Sequence, residues 1–241
     1  MKNLYQAICQ AKINNQKLVA ILLDPEKIDL NKLSSTIQKI KESPATHILL
    51  GGSTNSNTQI DPIISQLKQE TVLPIVLFPG NPSQISALAD GVLFLMLLSG
   101  RNPTFLIEHQ VNAVAILENT KLEVISTGYI LIESGRETAV ERVSQTKPLD
   151  RNNPTYVAQT AKAGEYIGNK LIYLEAGSGA KLSVPIEMIA QVCNSITIPL
   201  IVGGGIRSQN EIQAVFDAGA DMVVIGTAFE ENDHFFNPKT Q

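Results

Sequence analysis

Cysteine is nearly absent from this chain. Cys9 and Cys193 are the only two, far apart in sequence, and suggest neither a disulfide framework nor a zinc site. Histidine is as scarce, and its three scattered residues form no metal-ligating pattern. An excess of positive charge is missing too. With 19 basic and 23 acidic residues the net charge is −4, which argues against a nucleic acid held by counterion release. Long apolar runs are absent: the longest strongly apolar stretch, Val92 to Leu98, is far too short to cross a bilayer. The opening residues MKNLYQAICQ are too polar for a signal peptide. These absences describe a soluble, cytoplasmic protein of a reducing compartment, with peripheral membrane contact neither required nor excluded.

What the chain does have is a core. It has 241 residues and 44% hydrophobic content, a size that α/β barrels commonly reach as a single unit. Apolar runs of strand length alternate with helix-like segments throughout. Strands are expected over Leu18–Leu23, His47–Leu50, Pro74–Phe78, Val92–Leu98, Glu123–Ile132 with an internal turn, Leu171–Leu174, Leu200–Val202 and Met222–Ile225. An opening helix is expected over Leu4–Ile13, and a helix follows each strand. The third strand is followed by a short helix, Pro82–Ala89. The polar stretch from Glu137 to Asn152 reads as a mobile loop. Uninterrupted apolar strands point to a parallel sheet buried on both faces. Eight of them favour closure as one (β/α)₈ barrel, a single domain over residues 1–241, rather than an open sheet. No linker or low-complexity tract divides the chain, and the glycine pattern lacks the third glycine of a dinucleotide-binding turn.

In such a barrel the chemistry lies at the carboxyl ends of the strands, with phosphate sites often built after the seventh and eighth. Gly203-Gly204-Gly205 and Gly226-Thr227 fall at those two places. Consecutive glycines expose backbone N–H groups to an anion, and the helix beginning near Ser208 adds its positive end. The sixth strand ends in YLEAGSGA, where Gly177-Ser178-Gly179 would form a third wall. Within it Glu175 is a candidate general base, because a buried carboxylate is costly unless it has work or a partner. Glu133, at the end of the fifth strand, is a second candidate, and the residues alone do not rank the two.

The opposite rim carries Asp24 in LLDPEK and Ser53 in LLGGST. Neighbouring strands lie about 4.8 Å apart, so a carboxylate and a hydroxyl there can share one hard cation. Asp24 can equally cap the turn at Pro25. Arg101, in SGRNP, either reaches toward a diphosphate or is a solvated surface charge. Phe78, Met96 and Phe105 sit near the rim where an apolar groove would run, although core packing explains them as well.

Together LLDPEK, LLGGST, SGRNP, YLEAGSGA, VGGGIR and VIGTAFE resemble the geranylgeranylglyceryl phosphate synthase family, which includes heptaprenylglyceryl phosphate synthases. The motifs run in family order over nearly the whole chain. The resemblance implies a magnesium-dependent prenyltransferase on a (β/α)₈ barrel. Its substrates would be sn-glycerol 1-phosphate and a prenyl diphosphate; as barrels of this kind are often dimers or larger, a homo-oligomer is expected. It implies magnesium at Asp24 and Ser53. It places the glycerol-phosphate pocket at Tyr173, Leu174, Glu175, Ala176, Gly177, Ser178, Gly179, Gly204, Gly205, Gly226 and Thr227, with Glu175 as base. Thr227 stands where many relatives have Asn, and DPEK where they have DPDK. The rival readings are an aldolase or isomerase of a phosphorylated sugar, or a non-catalytic phosphate binder. No strand carries an interior lysine for a Schiff base, which counts against the aldolase.

Overall fold

Apolar runs buried on both sides have no solvent face to offer, so they pair with one another and close. The computed structural model describes residues 3–52 and 59–236. Its strands are β1 (Leu18–Leu23), β2 (His47–Leu50), β3 (Ile75–Leu77), β4 (Gly91–Leu97), β5 (Glu123–Leu131), β6 (Leu171–Glu175), β7 (Leu200–Gly203) and β8 (Met222–Ile225). They pair in parallel in chain order, and β8 returns to β1 with Val19 opposite Val223, completing the barrel.

The two-residue period of a strand splits these runs into two cores. Ala20, Leu49, Tyr173, Ile201 and Val224 pack inside the barrel, whereas Ile21, Ile48, Leu174, Val202 and Val223 pack outward against the helices. Each fully buried aliphatic side chain contributes about 1.5–3 kcal/mol. The outer layer includes α2 (Leu33–Lys41), α3 (Ile60–Glu70), α6 (Pro154–Tyr166), α7 (Ile186–Ser195) and α8 (Gln209–Asp217). The opening helix α1 (Leu4–Ile13) sends Leu4, Ile8 and Ala11 into the interior core instead. Its first N–H groups, on Leu4 and Tyr5, donate to the carboxylate of Glu123 at the amino end of β5. This helix therefore closes the bottom of the barrel.

Three local expectations are corrected. No turn interrupts β5: Ser126, Thr127 and Gly128 stay paired with β4, Thr127 bonds the Ile125 carbonyl, and Ser126 bonds Asn169. After β3 the helix expected over Pro82–Ala89 is a single 3₁₀ turn, Pro82–Gln84. There the Gln84 carboxamide accepts from Gly80 N–H at 2.7 Å and the Ser86 hydroxyl from Leu88 N–H, local bonds that compete with helix propagation. The polar stretch after β5 is not an irregular loop. It holds α5 (Ala139–Ser144), capped by Thr138 and anchored by the Lys147–Glu141 pair at 2.7 Å. Between β4 and β5 the chain forms a wide π turn, Thr104–Glu108, leading into α4 (His109–Leu117). A last short helix, α9 (Thr227–Glu231), follows β8. No helix among the described residues is long and apolar enough to cross a membrane.

Candidate active site

Alternation along β6 turns Tyr173 inward and Leu174 outward, and Glu175 arrives inside at the strand's carboxyl end. Glu175 is only 5% exposed. Its Oε1 accepts the N–H of Gly177 at 2.6 Å, a bond made possible by the tight turn in which Gly177 takes a φ of +98°. Beneath it lie three rings: Phe78 stacks on Tyr173 with centroids 5.2 Å apart, and Tyr129 stands 5.5 Å from Tyr173. Burial pushes the Glu175 carboxyl up to about 7, while the Tyr173 hydroxyl and the Gly177 N–H pull it back down. The Tyr173 hydroxyl faces this carboxylate yet meets no partner at ordinary hydrogen-bond geometry. Burial, and then the nearby Glu175 charge, hold both tyrosines well above their usual range, so they stay protonated.

The β7 loop closes onto the same carboxylate. A Cβ on Gly204 would come within 2.3 Å of Glu175 Oε1 and 2.7 Å of Gly177 N, so no side chain fits there. Gly177, Ser178, Gly179, Gly204, Gly205, Gly226 and Thr227 all line one cavity with Tyr173 and Glu175. Leu174 and Ala176 do not: their side chains face the helices, leaving only backbone toward this side. The α8 terminus is occupied by its own residues, in a capping box where Ser208 and Glu211 satisfy each other's N–H groups. Positive charge comes instead from Arg136 and Arg207, which sequence reasoning missed. Arg207 donates to the Ala180 carbonyl at 2.8 Å and Arg136 to that of Ser178 at 3.4 Å. The one signal for Arg207 was its place two residues after the triple glycine in VGGGIR.

Across the mouth Asp24 ends β1. Its Oδ1 accepts from Glu26 N–H at 3.1 Å, and a Cβ on Gly52 would lie 3.0 Å from that oxygen, so the carboxylate rests against the end of β2. A hard anionic oxygen on the rim of a substrate-sized cavity suits magnesium, which typically needs only one or two protein oxygens. Ser53 lies outside the described residues. Arg101, Glu133 and Met96 are not among the residues that line the cavity. Arg101 folds back on the carbonyls of Leu98 and Gly100 and meets the Tyr156 hydroxyl. Glu133 is exposed, because the bridge from Ile132 to Leu149 turns the chain away from the mouth just past β5.

The cavity holds about 840 Å³ and extends sideways. β3 pairs with β4 only at Gly91 and Val92, so among the described residues the upper half of β4 has no strand partner on that side. The Gln110 amide on α4 takes one of the freed groups, the Leu95 carbonyl. Both faces of β4 consequently line the cavity, Leu93 and Leu97 from within and Val92 from without, together with Ile85, Phe78 and Phe105. The missing helix after β3 thus leaves an apolar slot through the barrel wall.

The profile of the PcrB family matches residues 11–239. The chain belongs to the PcrB family. A relative named geranylgeranylglyceryl phosphate synthase, from Flavobacterium johnsoniae, is 60% identical over 98% of both chains. A relative of the same name from Zunongwangia profunda is 47% identical over 97% of this chain and 99% of its own. Among solved structures, (S)-3-O-geranylgeranylglyceryl phosphate synthase from Thermoplasma acidophilum superposes with a TM-score of 0.91 at 31% identity. That match covers 98% of this chain and 95% of the other, and the structure is a complex with its substrate sn-glycerol-1-phosphate. The barrel shared with that structure is the one that gathers this PcrB family member's glycines around Glu175.

Proposed function

We propose that the protein transfers a geranylgeranyl or similar long prenyl group from its diphosphate to the 3-hydroxyl of sn-glycerol 1-phosphate, forming an ether-lipid precursor. The observation that carries the reading is the placement of Glu175. It is a buried carboxylate poised near neutrality, between an anion-binding arc of glycines and an apolar slot. Relatives named for this activity support it.

Glycerol phosphate would seat its phosphate on the backbone of Gly204, Gly205 and Gly226, with Thr227, Arg136 and Arg207 adding donors and charge. Its free hydroxyls would meet Glu175 and the Tyr173 hydroxyl beside it. As the 3-oxygen attacks the first prenyl carbon, a carbon–oxygen bond forms and the diphosphate leaves with its bonding pair. The proton passes to Glu175, for which a pKa near the working pH is well suited. Phe78, Tyr129 and Tyr173 line this part of the cavity and would bring π density near the allylic carbon as positive charge develops there. Holding hydroxyl and carbon in line is worth up to roughly 7–11 kcal/mol in favourable cases. Magnesium, which the resemblance implies, would be held by Asp24 and would supply positive charge to the departing diphosphate. The slot between β3 and β4 takes the tail. Homo-oligomer formation, a cytoplasmic setting and peripheral membrane contact to release the lipid product belong to the same proposal.

The test offers the purified protein geranylgeranyl diphosphate with sn-glycerol 1-phosphate or its 3-phosphate enantiomer, with and without magnesium. Product is expected with the 1-phosphate and metal only. Fixing the phosphate and one hydroxyl leaves the remaining hydroxyl a single direction, and a mispaired hydroxyl costs on the order of 10⁴-fold at a site built for it. Equal rates with both enantiomers would overturn this pocket. No transfer at any chain length would sink the prenyltransferase reading in favour of a sugar-phosphate enzyme.

A further inference from the structure

Every arginine on the cavity lies on one side of it. Among the described residues the strongly basic side chains that line it are Lys27, Arg136, Arg142 and Arg207. Arg136 and Arg142 belong to the segment after β5, and Arg207 follows β7, beside the glycine arc. The side near Asp24 is different. Asp24, Glu26, Glu230 and Glu231 line the wall there, and Lys27 is the lysine among them. Lys27 belongs to the same turn as Asp24, its N–H donating to the Asp24 carbonyl at 3.0 Å. Its ammonium pairs with Glu230 on α9 at 3.1 Å, with side-chain exposures of 49% and 25%.

We infer that Lys27 is a ligand for the diphosphate of the prenyl donor, and that Glu230 competes with the diphosphate for it. The inference rests on the prenyl-transfer reading for the identity of the donor. A tail in the slot between β3 and β4, with its first carbon near Glu175, leaves the diphosphate toward the β1 and β2 ends. That rim carries several carboxylates, and a group with several negative charges is repelled there unless cations meet it. Arg101, the sequence-based candidate for this task, folds back on its own strand end. Lys27 has what the task needs: a compact charge on a flexible stem, next to Asp24 and facing the cavity. Its tie to Glu230 is a water-exposed pair, which contributes little and exchanges readily. Diphosphate oxygens offer the ammonium more negative charge than one carboxylate does, in bonds that are equally charge-assisted.

The two partners then respond in opposite directions. In Lys27→Met the KM for prenyl diphosphate is expected to rise about tenfold or more, with the KM for glycerol phosphate within about twofold of the parent. In Glu230→Gln the KM for prenyl diphosphate is expected to fall about two- to fivefold, because the ammonium loses its competitor. If the pair only ties α9 to the β1 turn, both variants shift the same way, and that result overturns the inference. Calorimetric titration of inorganic diphosphate, with magnesium present throughout, reads the same site without turnover. Weaker binding in Lys27→Met and tighter binding in Glu230→Gln are expected. Unchanged diphosphate affinity in Lys27→Met, or no binding by the parent protein, overturns the inference even where prenyl transfer is intact. A parent that binds diphosphate through Lys27 yet transfers no prenyl group refutes the activity and leaves this site standing.

Discussion

The N–H of Gly177 donates to the carboxylate of Glu175 across 2.6 Å, so the turn that ends β6 also fixes the side chain that β6 delivers. The bond sets the orientation of Oε1 from within the same loop. The second oxygen stays on the side of the Tyr173 hydroxyl, the two lying 3.1 and 2.5 Å from where a Cβ on Gly203 would stand.

A base in this position makes activity rise with pH. Burial holds the Glu175 carboxyl at about 7, so the ionised fraction, and with it turnover, climbs through neutrality. Glu175→Gln is expected to lower kcat about a hundredfold or more, leaving the glycerol-phosphate KM within a few-fold. Steady-state kinetics over pH 5.5–8.5 check both, and near-normal turnover in the variant would hand the proton to water or to another group.

The same burial has a cost to the fold, with the opposite pH dependence. A carboxyl raised from 4.5 to about 7 is more easily protonated in the folded state than in the unfolded chain. Its contribution is therefore fully favourable below the unfolded value and is lost as pH rises through about 7, by roughly 3 kcal/mol. Glu175→Gln keeps an acceptor for the Gly177 N–H and never ionises. Urea unfolding is expected to show the variant more stable than the parent at pH 8 and nearly equal to it at pH 4.5.

Asp24→Asn removes the hard anionic oxygen and keeps the shape of the turn. Magnesium-dependent diphosphate binding is expected to weaken about tenfold or more, with glycerol-phosphate affinity kept within a few-fold. Separate calorimetric titrations of each ligand decide it. Loss of both affinities together would make Asp24 a structural cap.

Two glycines in the anion-binding arc are expected to differ sharply. Gly204→Ala forces a methyl to within 2.3 Å of Glu175 at a φ of +82°, and is expected to cost roughly 3 kcal/mol or more. For a chain this size that lowers Tm by about 6–12 °C. At Gly226 an added Cβ has open space, its nearest neighbour being 3.7 Å away, so Gly226→Ala is expected to destabilise the fold much less than Gly204→Ala. Its effect falls instead on the glycerol-phosphate KM. Thermal melts and kinetics on the pair separate fold from function.

The barrel was legible because its strands are buried on both faces: LVAILL, HILL and MVVI are strands with the ends their composition suggests. Glu175 and the glycine arc were equally legible, since a strand's end puts its last residues at the mouth. What escaped was set by side chains bonding to distant or local backbone. Gln84 and Ser86 dissolve a helix that apolar spacing alone would allow, and Thr138 caps one in a stretch too polar to suggest it. Leu174 and Ala176 show the limit of reading a motif as a block, for alternation sends their side chains outward. Arg136 and Lys27 became visible only when loops far apart in sequence met around one space.

The unpaired upper half of β4 has a further consequence for how such a molecule changes over generations. With α1 sealing the bottom, the slot past Phe105 and α4 would give an apolar tail a lateral exit, well away from the carboxylate and the glycines. Substitutions along that exit can lengthen or shorten the accepted tail while the proton transfer and the phosphate grip keep their geometry. On the proposed prenyl-transfer reading, lipid length and reaction chemistry would thereby be inherited as separate traits on one small barrel.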